Sequence, residues 1–517
     1  MRVFVFDLVP YGENLEHLKD GQGELPWPLA KRFFRPEVAV RTYAEHLEAW
    51  EELDKLGYDG VGFNEHHTSP YGLMNSPNLL AASAAQRTRH LKLLIYGNLL
   101  PIHEPLRLAE ELAMLDCLSN GRIISGFARG IPREHNVYNI PQSESRARFE
   151  EAWEIIRRAW TEEVFSYEGQ FWQYHDVALW PRPVQQPHPP VWVPVTASKE
   201  TIEWAGKHNI PITPGASPHR GVREDVIRFY ARNLEQHGHR ITPDHLVIQA
   251  DVYVADSKDQ AVREAAPYTL YFNRTLFSHG NITERNLQAQ SGYVASTSHD
   301  YLRPEHVQFV SGSRERYRGL TLEGIREQAE HMPWGTPDEV VERIISAADH
   351  AGANQITVSL NRGAMPHEMF MHQIRRLAAE VLPRLPAHQV TRVPAASRVG
   401  AYRSGRSSGG RRHGCCDSPL SWHWPCCSPR AAAGVVALPR RVVHQLRPSW
   451  RPPRLRPVRK ARRHQQPLRS RKRVVRRRSP ARTRSRSCSR PTRARWIRTS
   501  LPPTRSCWLT ATSTARC

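Results

Sequence analysis

Three short clusters of polar residues have the side chains that acid–base chemistry or anion binding requires. The first is Glu65-His66-His67, which follows a short apolar segment. A histidine titrates near neutral pH and can act as an acid, a base or a hydrogen-bond donor. Adjacent side chains point in different directions, so we expect at most one of the two histidines to face a given ligand. The alternative is a histidine that only satisfies neighbouring polar groups. No set of His, Cys and carboxylate residues has the spacing of a metal site.

The other two clusters, Arg129-Gly130 and the segment from Ser198 to Thr201, have the chemistry of an anion site. Ser198 and Thr201 lie at the start of a predicted helix, where free amides and the positive helix end favour a phosphate. Arg129 would add a charge-assisted hydrogen bond. The alternatives are a Ser198 that only caps its helix and an Arg129 that is an ordinary surface residue. The sequence shows neither a Walker loop nor a GxGxxG fingerprint after a strand.

Residues 91–130 show which elements position such clusters. Leu91–Asn98 is a predicted strand, and the apolar residues after it recur at helical spacing until Asn120-Gly121, which tolerates the left-handed geometry of a helix end. A second strand, Arg122–Ala128, leads directly into Arg129. The carboxyl ends of parallel strands are where α/β proteins bind ligands.

The same strand–helix alternation continues through most of the chain. A helix with Val40 and Trp50 on its buried face is predicted to stop at Gly57, and Thr336 with Glu339 forms a predicted capping box. Further strands are predicted at Arg2–Leu8, Asp59–Asn64, Val191–Val195, Ile210–Thr213, Leu246–Val254 and Gln355–Leu360. About eight such units predict an α/β fold, a closed (β/α)8 barrel of the TIM type. An open doubly wound sheet is the alternative.

Charge divides the chain into a body and a tail. Residues 393–517 contain 32 of the 73 Lys and Arg residues but one of the 50 Asp and Glu residues, whereas residues 1–392 have a net charge of −8. The body has one cysteine, Cys117, which suggests a reducing cytoplasm. It shows no signal-peptide core and no apolar run of about 18 residues, so no membrane association is expected. We therefore predict a barrel over residues 1–388, with an insertion at about 275–332, and a separate Arg-rich tail over 393–517.

Several segments in the body together resemble the luciferase-like flavin-dependent monooxygenase family, to which bacterial luciferase belongs. The matching segments are GYDGVGFNEHHTSPYGL (57–73), GNLLPIHEPLRLAEELAMLDCLSNGRIISGFARG (97–130), PPVWVPVTASKETIEWAG (189–206) and WGTPDEV (334–340). The resemblance implies a barrel with a catalytic histidine at His66, with neighbouring His67 as a second candidate, and a non-prolyl cis peptide at Tyr96-Gly97. It implies that FMN is bound by Tyr96, Gly97, Arg129, Gly130, Ala197, Ser198 and Thr201.

The chemistry implied by the resemblance needs two components. A separate flavin reductase would supply reduced FMN, which reacts with O2 to a flavin peroxide that oxidises a small organic substrate. A homodimer is also implied. The alternative within the same fold is a deazaflavin-dependent oxidoreductase that transfers hydride without oxygen.

The basic tail allows a different class of function. Its Arg–Ser runs, such as RTRSRSCSR, resemble nucleic-acid-binding tails, and a segment of this composition cannot form a buried core. The other interpretation is that a GC-rich gene has been read out of frame, because the favoured residues largely have GC-rich codons. The net acidic body and its polar clusters favour an enzyme over a nucleic-acid-binding protein.

Overall fold

The strands of the body alternate with helices and belong mainly to one parallel sheet. The computed structural model describes residues 1–21, 23–214, 219–277, 279, 297–311 and 319–394. Within these residues the strands are β1 (Arg2–Phe6), β2 (Gly60–Phe63), β3 (Lys92–Leu99), β4 (Ile123–Ala128), β5 (Phe165–Glu168), β6 (Gln173–Val177), β7 (Val191–Val195), β8 (Ile212–Pro214), β9 (Val247–Asp251), β10 (Tyr253–Val254), β11 (Trp334–Gly335) and β12 (Gln355–Ser359).

The main sheet has eight parallel strands in the order β8-β7-β4-β3-β2-β1-β12-β9. A parallel bridge between Ile212 and Leu246 brings its two edges, β8 and β9, next to each other. The sheet is therefore a nearly closed barrel, as the sequence predicts, and not an open doubly wound sheet. The antiparallel hairpin β5-β6 and the short parallel pair β10-β11 are separate from it.

Helices follow most of the strands of this sheet along the chain. They are α1 (Pro36–Lys55), α2 (Pro77–Arg87), α3 (Pro105–Ser119), α4 (Pro132–Val137), α5 (Ser145–Thr161), α6 (Lys199–Lys207), α7 (Arg220–Gln236), α8 (Lys258–Tyr271), α9 (Pro304–Ser311), α10 (Leu322–Ala329), α11 (Pro337–Ala351) and α12 (His367–Glu380), and a π-helical turn (Phe272–Phe277) continues α8. Two of them, α9 and α10, lie in the predicted insertion; the rest of that insertion falls partly outside the described residues.

Strand side chains alternate between two hydrophobic clusters. Val3, Val5, Leu93 and Ile95 pack in a large cluster together with helix residues. The intervening residues form a second cluster inside the barrel, which contains Phe4, Leu94, Tyr96, Ile124, Trp192 and Val247. This is the two-residue period of a strand, expressed on both faces of a buried sheet. The barrel interior is thus filled with side chains below its carboxyl-terminal rim.

Two details of the sequence interpretation were wrong. Val40 is 70% exposed, because the buried stripe of α1 runs through Val38, Thr42, His46 and Leu53, and a residue two positions after Val38 lies on the opposite helix face. The predicted strand Leu246–Val254 is two strands, since the Val252 amide bonds to the Ser359 carbonyl, after which Tyr253 pairs with Trp334.

The predicted helix ends were correct. Gly57, Asn120 and Gly121 all have positive φ angles, of 81°, 55° and 74°. The predicted capping box is also present, because the Thr336 hydroxyl accepts from the Glu339 amide at 3.3 Å and the Glu339 carboxylate accepts from the Thr336 amide at 2.8 Å. The sequence thus predicted where α1 and α3 end and how the backbone groups at the start of α11 are paired.

This capping box gives a stability prediction. Thr336→Ala should lower the free energy of unfolding by about 1 kcal/mol, because it removes the acceptor of an amide at the start of α11. The measurement is urea unfolding of the full chain. Ser83→Ala is the control, since this exposed hydroxyl only bonds back to the Leu79 carbonyl within α2. Equal losses for both variants would contradict the capping role.

Candidate active site

His66 follows β2 on the carboxyl-terminal rim, and its ring is held by a buried carboxylate. Its Nδ1 lies 2.9 Å from Oε1 of Glu134, and its side chain is 21% exposed. Burial raises the pKa of Glu134, but the His66 hydrogen bond and the Arg133 charge outweigh burial, so the pKa is lowered and the carboxylate is ionised. A proton on Nδ1 therefore faces Glu134, which leaves Nε2 as the nitrogen for exchange with a ligand.

His67 has different partners, as expected for adjacent residues. Its Nε2 lies 2.9 Å from Oε1 of Glu65, and its Nδ1 lies 2.9 Å from the Tyr138 hydroxyl. Both ring nitrogens are thus used inside the protein, and the side chain is buried. The geometry favours His66 over His67 as the catalytic candidate.

Glu65 is the centre of this second network. Its carboxylate also accepts from Nε2 of His103 at 2.9 Å and from the Leu99 amide at 3.0 Å. Burial raises the pKa of Glu65, but the hydrogen bonds from His103 and His67 have the larger effect and lower the pKa to about 2. Burial lowers the pKa of His103, yet its bonds to Glu65 raise it overall. The network is therefore charged, and it joins the loops after β2, β3 and β4.

The anion-site candidates lie on neighbouring rim loops. β4 pairs with β7, so Arg129 after β4 and Ser198 after β7 follow adjacent strands. Thr201 lies in the first turn of α6, and its hydroxyl accepts from Nη2 of Arg146 at 2.7 Å. Arg146, at the start of α5, was not identified from the sequence. Its one available signal was a basic residue in the first turn of a helix that follows a rim loop.

Ser198 does not cap α6 with its side chain. Its hydroxyl instead donates to Oε2 of Glu200 at 2.7 Å, and Oε1 of Glu200 accepts from Ser298 at 2.6 Å. Burial raises the pKa of Glu200, but these hydroxyls and the Arg146 charge lower it overall, so the carboxylate is ionised. The Glu200 carboxylate therefore already accepts a hydrogen bond from Ser198, one of the two hydroxyls predicted to bind phosphate.

Two further predicted contacts have backbone roles. Gly130 has a φ of +83°, which disfavours any residue with a side chain, and an added Cβ there would lie 3.3 Å from the Glu134 carboxylate. Ala197 is buried, and its carbonyl accepts from the Tyr301 hydroxyl at 2.9 Å. Both residues therefore shape the rim rather than supply functional side-chain groups.

Inside the barrel, near the carboxyl ends of its strands, lie several buried polar groups. The Tyr96-Gly97 peptide bond is cis, at the position that the resemblance implies. The hydroxyls of Tyr96, Thr213 and Ser359, on β3, β8 and β12, are buried and have no hydrogen-bond partner among the described residues. Buried hydroxyls are normally bonded, so three such groups in one barrel fit a polar ligand such as a flavin ring.

Comparison with known proteins agrees with this geometry. The sequence profile of luciferase-like monooxygenases matches residues 25–355. The chain belongs to this family. It is therefore placed among oxidoreductases that incorporate molecular oxygen, the enzyme class expected from the sequence. Among the residues described by the structure, no helix is both long and apolar enough to cross a membrane.

Two relatives of this luciferase-like monooxygenase differ in how much they share with it. The uncharacterized protein y4wF of Sinorhizobium fredii is 42% identical over 167 residues, which are 32% of this chain and 48% of that protein. The oxygenase component of flavin-dependent trigonelline monooxygenase of Acinetobacter baylyi is 25% identical over 362 residues, which are 69% of this chain and 93% of that protein.

Two solved structures share the fold. The monooxygenase RslO1 of Streptomyces bottropensis has a TM-score of 0.55 and 27% identity, and the match covers 74% of this chain and 99% of that chain. The oxygenating constituent of 3,6-diketocamphane monooxygenase of Pseudomonas putida, in complex with FMN, has a TM-score of 0.57 and 19% identity, and the match covers 76% and 100%. At that identity the second likeness shows the fold alone.

The Glu65 network gives a prediction about pH. Glu65 has a lowered pKa in the folded protein, so its stabilisation is complete above its unfolded pKa of about 4.3 and is lost as the pH falls through about 2. His103 has a raised pKa, so its stabilisation is complete below about pH 6.5 and is lost as the pH rises through the raised value. Glu65→Gln removes both contributions, because the amide carries no charge.

We expect this variant to be less stable than the wild type by about 3–5 kcal/mol between about pH 4.3 and 6.5, the scale of a broken buried ion pair. The difference should shrink on both sides of that window. Urea unfolding at a series of pH values measures it, with the exposed Glu168→Gln as the control. A difference that is the same at every pH would show that the charges of Glu65 and His103 are not responsible.

Proposed function

We propose that this protein is the oxygenase of a two-component system that uses reduced FMN and O2 to oxidise a small organic substrate. The observation that carries the proposal is one rim of the barrel with a histidine held by a carboxylate, and with hydroxyl and guanidinium groups on neighbouring loops. Below this rim lie buried hydroxyls that have no hydrogen-bond partner among the described residues. When bound, the reduced flavin supplies the oxygen-activating chemistry. The remaining task of the protein is to bind the flavin, to exclude water and to move a proton.

The FMN phosphate is proposed to bind at the start of α6. The hydroxyls of Ser198 and Thr201 and the guanidinium groups of Arg129 and Arg146 are suitable donors for a dianion. Support comes from Arg146, whose Nη2 already contacts Thr201. Entry of the phosphate requires Glu200 to release the Ser198 hydroxyl, because both anions use the same donor.

His66 is proposed to act as the proton-transfer group. Glu134 holds Nδ1, so Nε2 can accept a proton from the substrate or return it. The rings of Tyr71 and His66 pack edge to face at 4.6 Å between centroids, which covers part of the imidazole. Glu134 is then a positioning residue, which sets the orientation and tautomer of the histidine.

The reductase is proposed to be a separate protein. The body shows no dinucleotide fingerprint, and the relative from Acinetobacter baylyi is named as the oxygenase component of a flavin-dependent system. A homodimer and a cytoplasmic location belong to the same proposal. The nucleic-acid-binding interpretation concerns residues 393–517, of which all beyond 394 lie outside the described residues, and it stays an alternative.

The phosphate site predicts that FMN binds much more tightly than riboflavin. Arg146→Ala and Arg129→Ala should each weaken FMN binding by about 1.5–3 kcal/mol, the scale of a hydrogen bond to a charged group, and should leave riboflavin binding nearly unchanged. Flavin fluorescence titration of the full chain measures both ligands. The control is Arg107→Ala, on the exposed surface of α3.

Glu200→Gln gives a test in the opposite direction. It removes the carboxylate that competes for Ser198, so FMN should bind more tightly than to the wild type, whereas the exposed Glu163→Gln should bind it equally. Equal affinity of the wild type for FMN and riboflavin would exclude the proposed phosphate site.

The role of His66 predicts uncoupled oxidation when the imidazole is removed. With reduced FMN, O2 and a panel of small organic substrates, His66→Ala should lower the product yield by about 10²–10⁴-fold and release hydrogen peroxide instead, with little change in FMN affinity. His175→Ala, which removes an exposed imidazole, should behave as the wild type. Normal coupling in His66→Ala would refute the assignment, and anaerobic turnover with reduced deazaflavin would favour the alternative cofactor.

A further inference from the structure

Arg133, in α4, is a buried arginine with one ion pair among the described residues, to its neighbour Glu134. Its side chain is 0% exposed. Among the described residues, no acceptor forms a hydrogen bond with any of its three guanidinium nitrogens. The nearest carboxylate oxygen is Oε1 of Glu134, at 3.5 Å from Nη2, which is longer than the 2.7–2.9 Å of a charge-assisted bond.

Glu134 is not free to satisfy this arginine. Its Oε1 accepts from His66 at 2.9 Å, and its Oε2 accepts from the Ile131 amide at 2.8 Å. A guanidinium stays charged in proteins, and a buried charge without hydrogen bonds is strongly unfavourable. A purely structural arginine would normally have acceptors around it, so the unused donors of Arg133 point to a group that is supplied by a ligand.

The surroundings of Arg133 are aromatic. Its guanidinium carbon lies 5.7 Å from the centre of the Trp27 ring, and the Trp27 ring packs on His279 at 5.0 Å. Burial and the charge of Arg133 lower the pKa of His279 to about 4, so this imidazole is neutral near pH 7 and adds no second charge. These rings provide an apolar wall beside the guanidinium, and the carboxylate next to it is that of Glu134.

Glu134 connects Arg133 to the proposed catalytic histidine, beside which lies a second group of aromatic rings. Arg133 and His66 both approach one oxygen, Oε1 of Glu134. Tyr71 packs on His66 and also on Phe272 and Phe277, at 5.5 and 5.6 Å between ring centres. A molecule that contacts Arg133 would therefore lie against aromatic rings with His66 within its reach.

We propose that Arg133 binds the carboxylate of the substrate, and that the substrate is a small aromatic or otherwise flat organic acid. This inference rests on the proposed function, since it concerns the substrate of the same site. The planar fork of a guanidinium matches both oxygens of a carboxylate with two parallel hydrogen bonds, whereas a neutral carbonyl offers a single oxygen. The FMN phosphate has its own donors at Arg129, Arg146 and α6.

The test compares two probes of nearly equal shape, benzoate and benzamide, by calorimetric titration of the full-length protein loaded with FMN. FMN occupies the phosphate site, so benzoate has to bind elsewhere. We expect the wild type to bind benzoate about 10- to 100-fold more tightly than benzamide, the range of a hydrogen bond to a charged group. Arg133→Met should remove this preference, and Arg133→Lys should keep part of it.

Arg107→Met, the same change on the exposed surface, should keep the full preference. Equal binding of benzoate and benzamide to the wild type would overturn the proposal without any variant. The proposal would also be overturned if the preference for benzoate persisted in Arg133→Met but disappeared in Arg146→Met. That result would place benzoate at the phosphate site.

Two measurements separate the possible failures. Far-UV circular dichroism and FMN affinity report whether Arg133→Met is folded, and if it is not, the wild type and Arg133→Lys still decide the matter. The titration needs no turnover. Absence of FMN binding would thus refute the proposed function, whereas FMN binding without a preference for benzoate would refute only the role of Arg133.

Discussion

The rim of this barrel depends on one buried carboxylate, that of Glu65. It lies after β2 and accepts from the amide of Leu99 at the end of β3, from His103 beyond it, and from His67, which continues to Tyr138 in the segment after β4. Three separate rim loops are thereby joined at one ionised group. A buried carboxylate is tolerated there because its hydrogen bonds outweigh the loss of hydration, as its low pKa indicates.

This arrangement gives two adjacent histidines different environments. His67 is bonded at both nitrogens within the Glu65 network and is buried. His66 has one bond, to Glu134, and is partly exposed at the rim. A pair of carboxylates from different parts of the chain therefore separates a structural imidazole from one that is suited to proton transfer.

Positive charge on the rim is also divided between two places. Arg146 lies beside Thr201 at the start of α6, where the helix end adds to its attraction for an anion. Arg133 lies in a buried aromatic environment next to Glu134. The first place suits the phosphate of a cofactor and the second suits the carboxylate of a smaller molecule. Under the two proposals above, cofactor and substrate have separate binding sites on one rim.

The sequence by itself determined the periodic elements, their order and most of their ends. Apolar spacing predicted the parallel strands and the helices, and the positive-φ residues Gly57 and Asn120 and the Thr336 box were readable because caps are formed by residues within a few positions of each other. The resemblance to a known family then indicated the position of the cis peptide and pointed to His66. Each of these features is recorded in a short stretch of residues.

Only the tertiary structure decided which side chains meet. His66 and Glu134 are 68 positions apart, and Arg146 and Thr201 are 55 apart, so no local pattern links them. The closed barrel brings the carboxyl ends of β2, β4 and β7 to one rim, and the roles proposed for Glu134, Arg146 and Arg133 rest on contacts there that their spacing could not reveal. The same contacts assigned His67 to a structural network and the Ser198 hydroxyl to Glu200. Helix and strand periods come from near neighbours in the sequence, whereas an active site comes from contacts between strand ends that only barrel closure sets.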